Sequence, residues 1–196
     1  MGKGERTHTA ILDHATGLAS QVGLTGLTIG ALADALDLSK SGLFAHFHSK
    51  EALQIEVLNH AAQRFTETVI RPALAKPRGA PRMQALFDGW IAWVRDEALP
   101  GGCVFVAANT ELDDRPGPVR DRLVVLQQAW VNVMATSVRK GVESEAFRAD
   151  TDPKQFTQEM VGILLSLHFH SRLLNDPRAE ARARRAFKAL LEGAKP

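Results

Sequence analysis

The sequence predicts an all-α protein: a three-helix N-terminal domain built around a helix-turn-helix, followed by a C-terminal helical bundle. Three observations carry that expectation. Apolar residues recur with a period near 3.6 through most of the chain, and no run alternates with period two. Tyrosine is absent and β-branched clusters bounded by turn residues are scarce. Between residues 28 and 47, "TIGALADALDLSKSGLFAHF" holds two very short helical patterns separated by a break. At 196 residues, 45% hydrophobic and 23% charged, the chain has the makings of a sizeable core in one domain or two small ones.

Each element has its own signals. The first helix is expected from about Arg6 to Gln21, with Ile11, Ala15, Leu18, Ala19 and Val22 as its buried stripe and Gly23 to end it. Thr28 caps a second helix carrying Ala31, Leu32, Ala35 and Leu36; Asp37 and Leu38 break the pattern, and Ser39 caps a third helix that buries Leu43 and Phe47. Ser49 caps a fourth helix, expected to stop near Pro72. "PALAKPRGAP" holds three of the nine prolines and marks a break. Beyond it lie an amphipathic helix with Leu86, Trp90, Trp93 and Val94 on one side, and a short apolar helix after Gly101 and Gly102. A long helix from about Val119 to Glu145 follows, with two more starting near Pro153 and Pro177.

Composition excludes several classes. Cys103 is the only cysteine, so no internal disulfide can form and a reducing compartment is expected. "MGKGERTHTA" lacks the apolar core of a signal peptide. The greasiest stretch, "VGILLSLHFHSRLL", is interrupted by His168, His170 and Arg172 and is too short to span a bilayer, so no membrane is expected as a partner and the location is expected to be the cytoplasm. Net charge is only +2, and residues 1–53 set Lys3, Arg6, Lys40 and Lys50 against Glu5, Asp13, Asp34, Asp37 and Glu51. A nucleic-acid footprint here must therefore be local, made by geometry and not by excess charge.

The third helix is too short to be stable alone in water, and its outer face is small and polar: Lys40, Ser41, Gly42, Ala45 and His46. In a helix-turn-helix the second helix can enter the major groove while the first crosses the backbone. Lys40 can reach phosphate or guanine, and the Ser39 and Ser41 hydroxyls can contact phosphate or base edges. Gly42 has no side chain to hold the helix off the groove. Thr28 and Lys50 each open a helix, where N–H groups and the dipole favour an anion. A tight corner in an ordinary helical bundle is the alternative that spacing alone leaves open.

Residues 11–53, "ILDHATGLASQVGLTGLTIGALADALDLSKSGLFAHFHSKEAL", closely resemble the DNA-binding domain of the TetR family of transcriptional regulators. The likeness is carried by the Gly23–Thr28 connection, the helix from Ile29, "LSKSGLFAHF" and "SKEAL". It implies a DNA-binding domain over residues 1–53, contacting double-stranded operator DNA through Thr28, Ser39, Lys40, Ser41, Gly42, Phe44, His46 and Lys50. It also implies a homodimer and a C-terminal effector-binding and dimerisation domain over residues 54–196, with DNA released when a small-molecule effector binds. Two positions depart from the family pattern: Phe44 stands where tyrosine is usual, losing a hydroxyl contact to phosphate, and Asp37 stands in the turn where glycine is usual.

The C-terminal half resembles a subset of these regulators in "GGCVFVAANTELDDRPGPVRD". Its candidate effector contacts are Trp90, Trp93, Cys103, Phe105, Asn109, Gln127 and His168, apolar walls with polar groups among them. Each has a plainer reading: tryptophan at helical spacing as core, His168 as an interior histidine, Cys103 as a small buried hydrophobe. Cys103 after two glycines and before a helix is also placed to lower its thiol pKa and sense electrophiles or oxidants. His46/His48 and His168/His170 are spaced two apart and do not share a helix face, so no metal site is expected; no catalytic signature and no cofactor motif appears. "RAEARARRAFK" reads as a solvated helix face. The expected function is a ligand-responsive dimeric DNA-binding regulator acting as a repressor. A helical small-molecule-binding or adaptor protein that kept the helix-turn-helix without binding DNA is the alternative. The fourth helix, beginning at Lys50 and carrying Ile55, Leu58 and Phe65, is the expected lever of the switch.

Overall fold

The computed structural model describes residues 3–196, apart from the side chains of Lys3 and Glu5; Met1 and Gly2, at the head of the N-terminal run read above, lie outside the described residues. The described residues are helical, with no strand among them: α1 (Lys3–Gly26), α2 (Ile29–Leu36), α3 (Lys40–Phe47), α4 (Lys50–Phe65), a π-turn (Thr66–Ile70), α5 (Arg71–Leu74), α6 (Ala80–Val94), α7 (Val104–Leu112), α8 (Pro118–Glu143), α9 (Pro153–Arg172) and α10 (Ala179–Ala194). None of these helices is long and apolar enough to cross a membrane.

The helices pack as two compact units. One comprises residues through Phe65 together with Arg95–Gln127; the other comprises Thr66–Val94 and Gln128–Pro196. This packing boundary differs from the functional boundary expected after residue 53. The reason is α4 and α7: Leu53, Val57, Leu58 and Ala61 of α4 and Val104 and Ala108 of α7 are all buried, and both helices pack against α1. The loop before α7 docks on the same helix, where the Gly101 N–H donates to Ser20 Oγ at 2.9 Å. A β-carbon at Gly101 would lie 1.6 Å from the Ser20 carbonyl oxygen, so no other residue permits that approach.

Gly23 breaks α1 as expected, with φ 76° and ψ 165°, and one further turn runs on to Gly26. The expected stripe is buried at Ile11, Ala15 and Ala19, whereas Leu18 is half-buried, Val22 is 48% exposed and Leu12 is buried too. The packed face of α1 runs through Ile11, Leu12, Ala15, Thr16, Ala19 and Ser20, and at 100° per residue Val22 falls at its edge.

The helical winding that begins with α4 ends at Leu74, near Pro72 as expected, but it does not stay α-helical on the way. The π-turn over Thr66–Ile70 precedes α5, and Pro72 falls in the first turn of α5, where its missing N–H costs nothing. In the second unit Phe87 of α6 stacks on Phe187 of α10 with ring centroids 4.1 Å apart and planes 4° apart. Phe147, after α8, meets Phe156 of α9 at 5.9 Å. Asp152 caps α9, accepting the Lys154 N–H at 2.8 Å, and Pro153 occupies its first turn.

Candidate nucleic-acid interface

The α2–α3 pair is bounded by three hydroxyl caps and by two positive-φ residues, Asp37 after α2 and His48 after α3. Thr28 Oγ1 accepts the Ala31 N–H at 3.0 Å and starts α2. Asp37 then takes φ 52°, ψ 42°, a conformation that asparagine and aspartate tolerate better than most residues, and Leu38 N–H returns to the Ala33 carbonyl at 3.0 Å. Ser39 Oγ accepts the Gly42 N–H at 3.1 Å and starts α3; Ser49 Oγ does the same for Ala52 at 3.0 Å and α4. Capping side chains of this kind are each worth about 1 kcal/mol.

The eight-residue α3 buries only Leu43 and Phe47, and Lys40, Ser41, Gly42, Phe44, Ala45 and His46 all lie exposed. Phe44 is 55% exposed, a large apolar ring in solvent on the face where the sequence placed DNA. The His46 ring lies 5.7 Å from that of His8 in α1, and His8 Nε2 pairs with Glu56 of α4 at 2.7 Å. Of the eight expected DNA contacts, Thr28 and Ser39 already accept backbone N–H groups. Lys50 also has an internal bond, its Nζ donating to the Thr25 carbonyl at 2.6 Å. That leaves two of its three N–H donors unused by this bond. Lys40 lies across Gly30 in the first turn of α2, its Nζ 3.8 Å from where a β-carbon would stand.

This geometry meets its counterparts among known proteins. The model of the bacterial regulatory proteins of the tetR family matches residues 11–57, and that of the tetracyclin repressor-like C-terminal domain matches residues 79–187. The chain belongs to the TetR family. Its helix-turn-helix is that family's DNA-binding element. It is 27% identical over 153 residues to the HTH-type transcriptional repressor DhaR of Mycobacterium sp. (strain GP1), covering 74% of each chain. A TetR transcriptional regulator from Chloroflexus aurantiacus J-10-FL has the same fold, with TM-score 0.84 at 24% identity over 98% of this chain and 96% of that one. AibR, solved with isovaleryl coenzyme A and operator DNA, superposes with TM-score 0.76 at 19% identity over 95% and 98%.

In this TetR-family chain the candidate effector residues fall in both compact units. Cys103, Phe105, Asn109 and Gln127 belong to the first unit. There Gln127 Nε2 donates to Asn109 Oδ1 at 2.7 Å, and Phe105 meets Phe65 edge-on at 6.4 Å. Cys103 is buried at the start of α7. Trp90 and Trp93, both buried in α6, and His168 in α9 belong to the second unit. None of the seven lines the groove of about 950 Å³ along α9 and α10. Among the described residues, no three His, Cys, Asp or Glu side chains are grouped to hold a metal.

His168 is the most informative of the seven. Its Nε2 is buried and has no hydrogen-bond partner among the described residues. Burial, and secondarily the charge of Arg172, push its pKa below the ordinary histidine value. The unfolded chain therefore binds a proton more readily than the folded one as pH falls through and below that ordinary value. Stability from this group is complete above the unfolded pKa and is lost as pH drops toward the lowered one. His168→Leu is expected to flatten the acid side of the Tm-versus-pH curve between pH 8 and 5; parallel curves for variant and wild type would refute the assignment.

Proposed function

We propose that this chain is a homodimeric repressor that binds operator DNA through α3 and releases it when a small molecule binds the C-terminal bundle. One observation carries the DNA contact. The Lys40 ammonium lies beside the first turn of α2, where the partial charge of the helix is positive. A cation at that end is unfavourable until an anion arrives, and a backbone phosphate bound by Lys40 and the N–H groups of α2 turns the repulsion into attraction. Ser39, Ser41, Phe44 and His46 then face the groove, Gly42 allows close approach, and Thr28 and Lys50 flank it. A regulator of this kind works beside the chromosome, in the cytoplasm. Lys40→Ala should weaken binding and reduce the salt slope by about one unit per phosphate lost. Ser39→Asp should keep the cap yet repel phosphate, so its stability should hold while its DNA affinity falls. Unchanged affinity in both variants at fixed salt would favour the helical adaptor that never binds DNA.

Dimerisation is proposed through the α9–α10 groove. Of the apolar residues that repeat at helical spacing along α9, Phe156, Met160, Leu164 and Leu167 are buried within the protomer and Ile163 lines the groove. What remains outward is Gly162, Ser166, Ala186 and Gly193 in the groove, with Leu165 and Phe169 exposed on α9. Small residues let two helix pairs approach closely, and a two-fold axis makes such a face self-complementary. A β-carbon at Gly162 would meet nothing within 4 Å, so Gly162→Arg should fold and sediment as a monomer. A dimer that survives this change places the interface elsewhere.

The effector reading draws on AibR, whose structure holds an acyl coenzyme A and operator DNA together. Trp90, Trp93, Cys103, Phe105, Asn109, Gln127 and His168 are its proposed contacts, and α4, from Lys50 past Ile55 and Leu58 to Phe65, its proposed lever. Hundredfold release needs about 2.7 kcal/mol of coupling, and linkage requires operator DNA to weaken effector binding equally. Calorimetric titration of a compound found by thermal-shift screening, with and without operator DNA, tests this. Equal affinities would remove the effector-released switch.

A further inference from the structure

The DNA-binding motif is held by a residue far from it in sequence. Glu111, near the end of α7, places Oε2 at 2.8 Å from the Thr25 amide nitrogen, whose N–H it accepts. Its other oxygen sits so close to Gly23 that a β-carbon there would lie 1.6 Å from Oε1. Gly23, buried and with φ 76°, is therefore both the kink in α1 and the opening through which this carboxylate reaches the chain. To the same segment α4 supplies two donors. Lys50 Nζ donates to the Thr25 carbonyl at 2.6 Å, and the buried Gln54 side chain donates to the Leu24 carbonyl.

Thr25 is thus gripped at both polar ends by opposite charges, a carboxylate on its N–H and an ammonium on its C=O. Charge-assisted bonds are roughly twice as strong as neutral ones. The gripped segment is also the hinge of the motif: α2 starts three residues later at the Thr28 cap, and α3 follows through the Asp37 turn. Apolar anchoring within the pair is limited to Leu32 and Ala33 of α2 and Leu43 and Phe47 of α3.

We propose that Glu111 is a positioning residue for DNA recognition. Its carboxylate on Gly23 and Thr25 sets the direction in which α3 is presented, and so governs affinity for the operator sequence and not general affinity for duplex DNA. The inference rests on the DNA-binding reading above. Phosphate contacts alone, which Glu111 does not touch, supply the sequence-independent part of binding. Base contacts need α3 in register, and these are what a slack connection loses.

The test uses the full-length protein and a duplex that the wild type selects from a random-sequence pool, beside mixed-sequence genomic DNA as the general competitor. Glu111→Gln keeps the shape and a carbonyl acceptor for Thr25, and should retain selected-duplex affinity within about threefold. Glu111→Leu removes the acceptor, and Glu111→Asp keeps the charge while losing reach. Both should lose about tenfold to hundredfold on the selected duplex with little change on mixed-sequence DNA at low salt. If Glu111→Leu does not fold, the Asp-against-Gln comparison decides. Selected-duplex affinity equal in all variants overturns the proposal, as does a parallel loss on both DNAs, which marks a stability role alone. A wild type that selects no duplex overturns the DNA-binding reading itself and this inference with it.

Discussion

The grip on the Gly23–Leu27 connection is the constraint on which the DNA-binding half depends. Helices of eight residues have nucleation costs that their own hydrogen bonds do not offset in water. Neither α2 nor α3 buries more than two residues, so neither is anchored by a large apolar face. They are held by those few core residues, α2 against α1 and α3 against α2 and α4, and by the chain that delivers them, which Gln54, Lys50 and Glu111 grip. The same logic explains why packing draws α4, α7 and the start of α8 into one compact unit with the helix-turn-helix. A recognition helix this small cannot be independent of the elements that brace it.

Local chemistry was legible in the sequence, and long-range chemistry was not. Thr28, Ser39 and Ser49 each precede a run of helical spacing, and each does cap a helix, because capping is decided within three residues. Gly23 reads as a helix end for the same reason. Val22 was misplaced in the buried stripe because helical spacing from Ile11 does not fix where the packed face is centred; it is centred on Leu12, Ala15, Thr16 and Ala19, and Val22 falls at its edge. The π-turn before Pro72 leaves no periodic trace in five residues. Glu111 gave no signal at all: its partners lie 86 residues away, and a glutamate near a helix end looks like any solvated charge. The one clue was indirect, a glycine at a place where any other residue would have continued α1.

Lys50 shows how one residue can serve both structure and binding. Sequence reasoning placed it at a helix start facing phosphate, and the structure gives it a bond to the Thr25 carbonyl. These uses are compatible, since an ammonium has three donors and the bond to Thr25 occupies one. They also differ in kind. A contact to phosphate adds affinity that salt screens, whereas the bond to Thr25 orients the motif and is little affected by counterions. Loss of the side chain removes the bond to Thr25 together with the proposed phosphate contact, so an alanine variant at this position reports their sum. Lys40, which makes no such internal bond among the described residues, is the cleaner probe of the proposed phosphate contact.

The weak charge of the DNA-binding half follows from the same design. Residues 1–53 carry no net positive charge, so long-range attraction to DNA is small and nonspecific binding has little to draw on. In the proposed reading affinity then comes from short-range donors in fixed positions: capping hydroxyls, helix N-terminal N–H groups and one or two ammonium groups. Such donors lose their value steeply with displacement, because a hydrogen bond weakens sharply once distance or angle departs from its optimum. A highly basic reading head could tolerate a loose connection, since Coulomb attraction changes slowly with distance. This one cannot. The tight closure of Glu111 against Gly23 is therefore the structural counterpart of a nearly neutral reading head: what charge does not supply, positional accuracy has to.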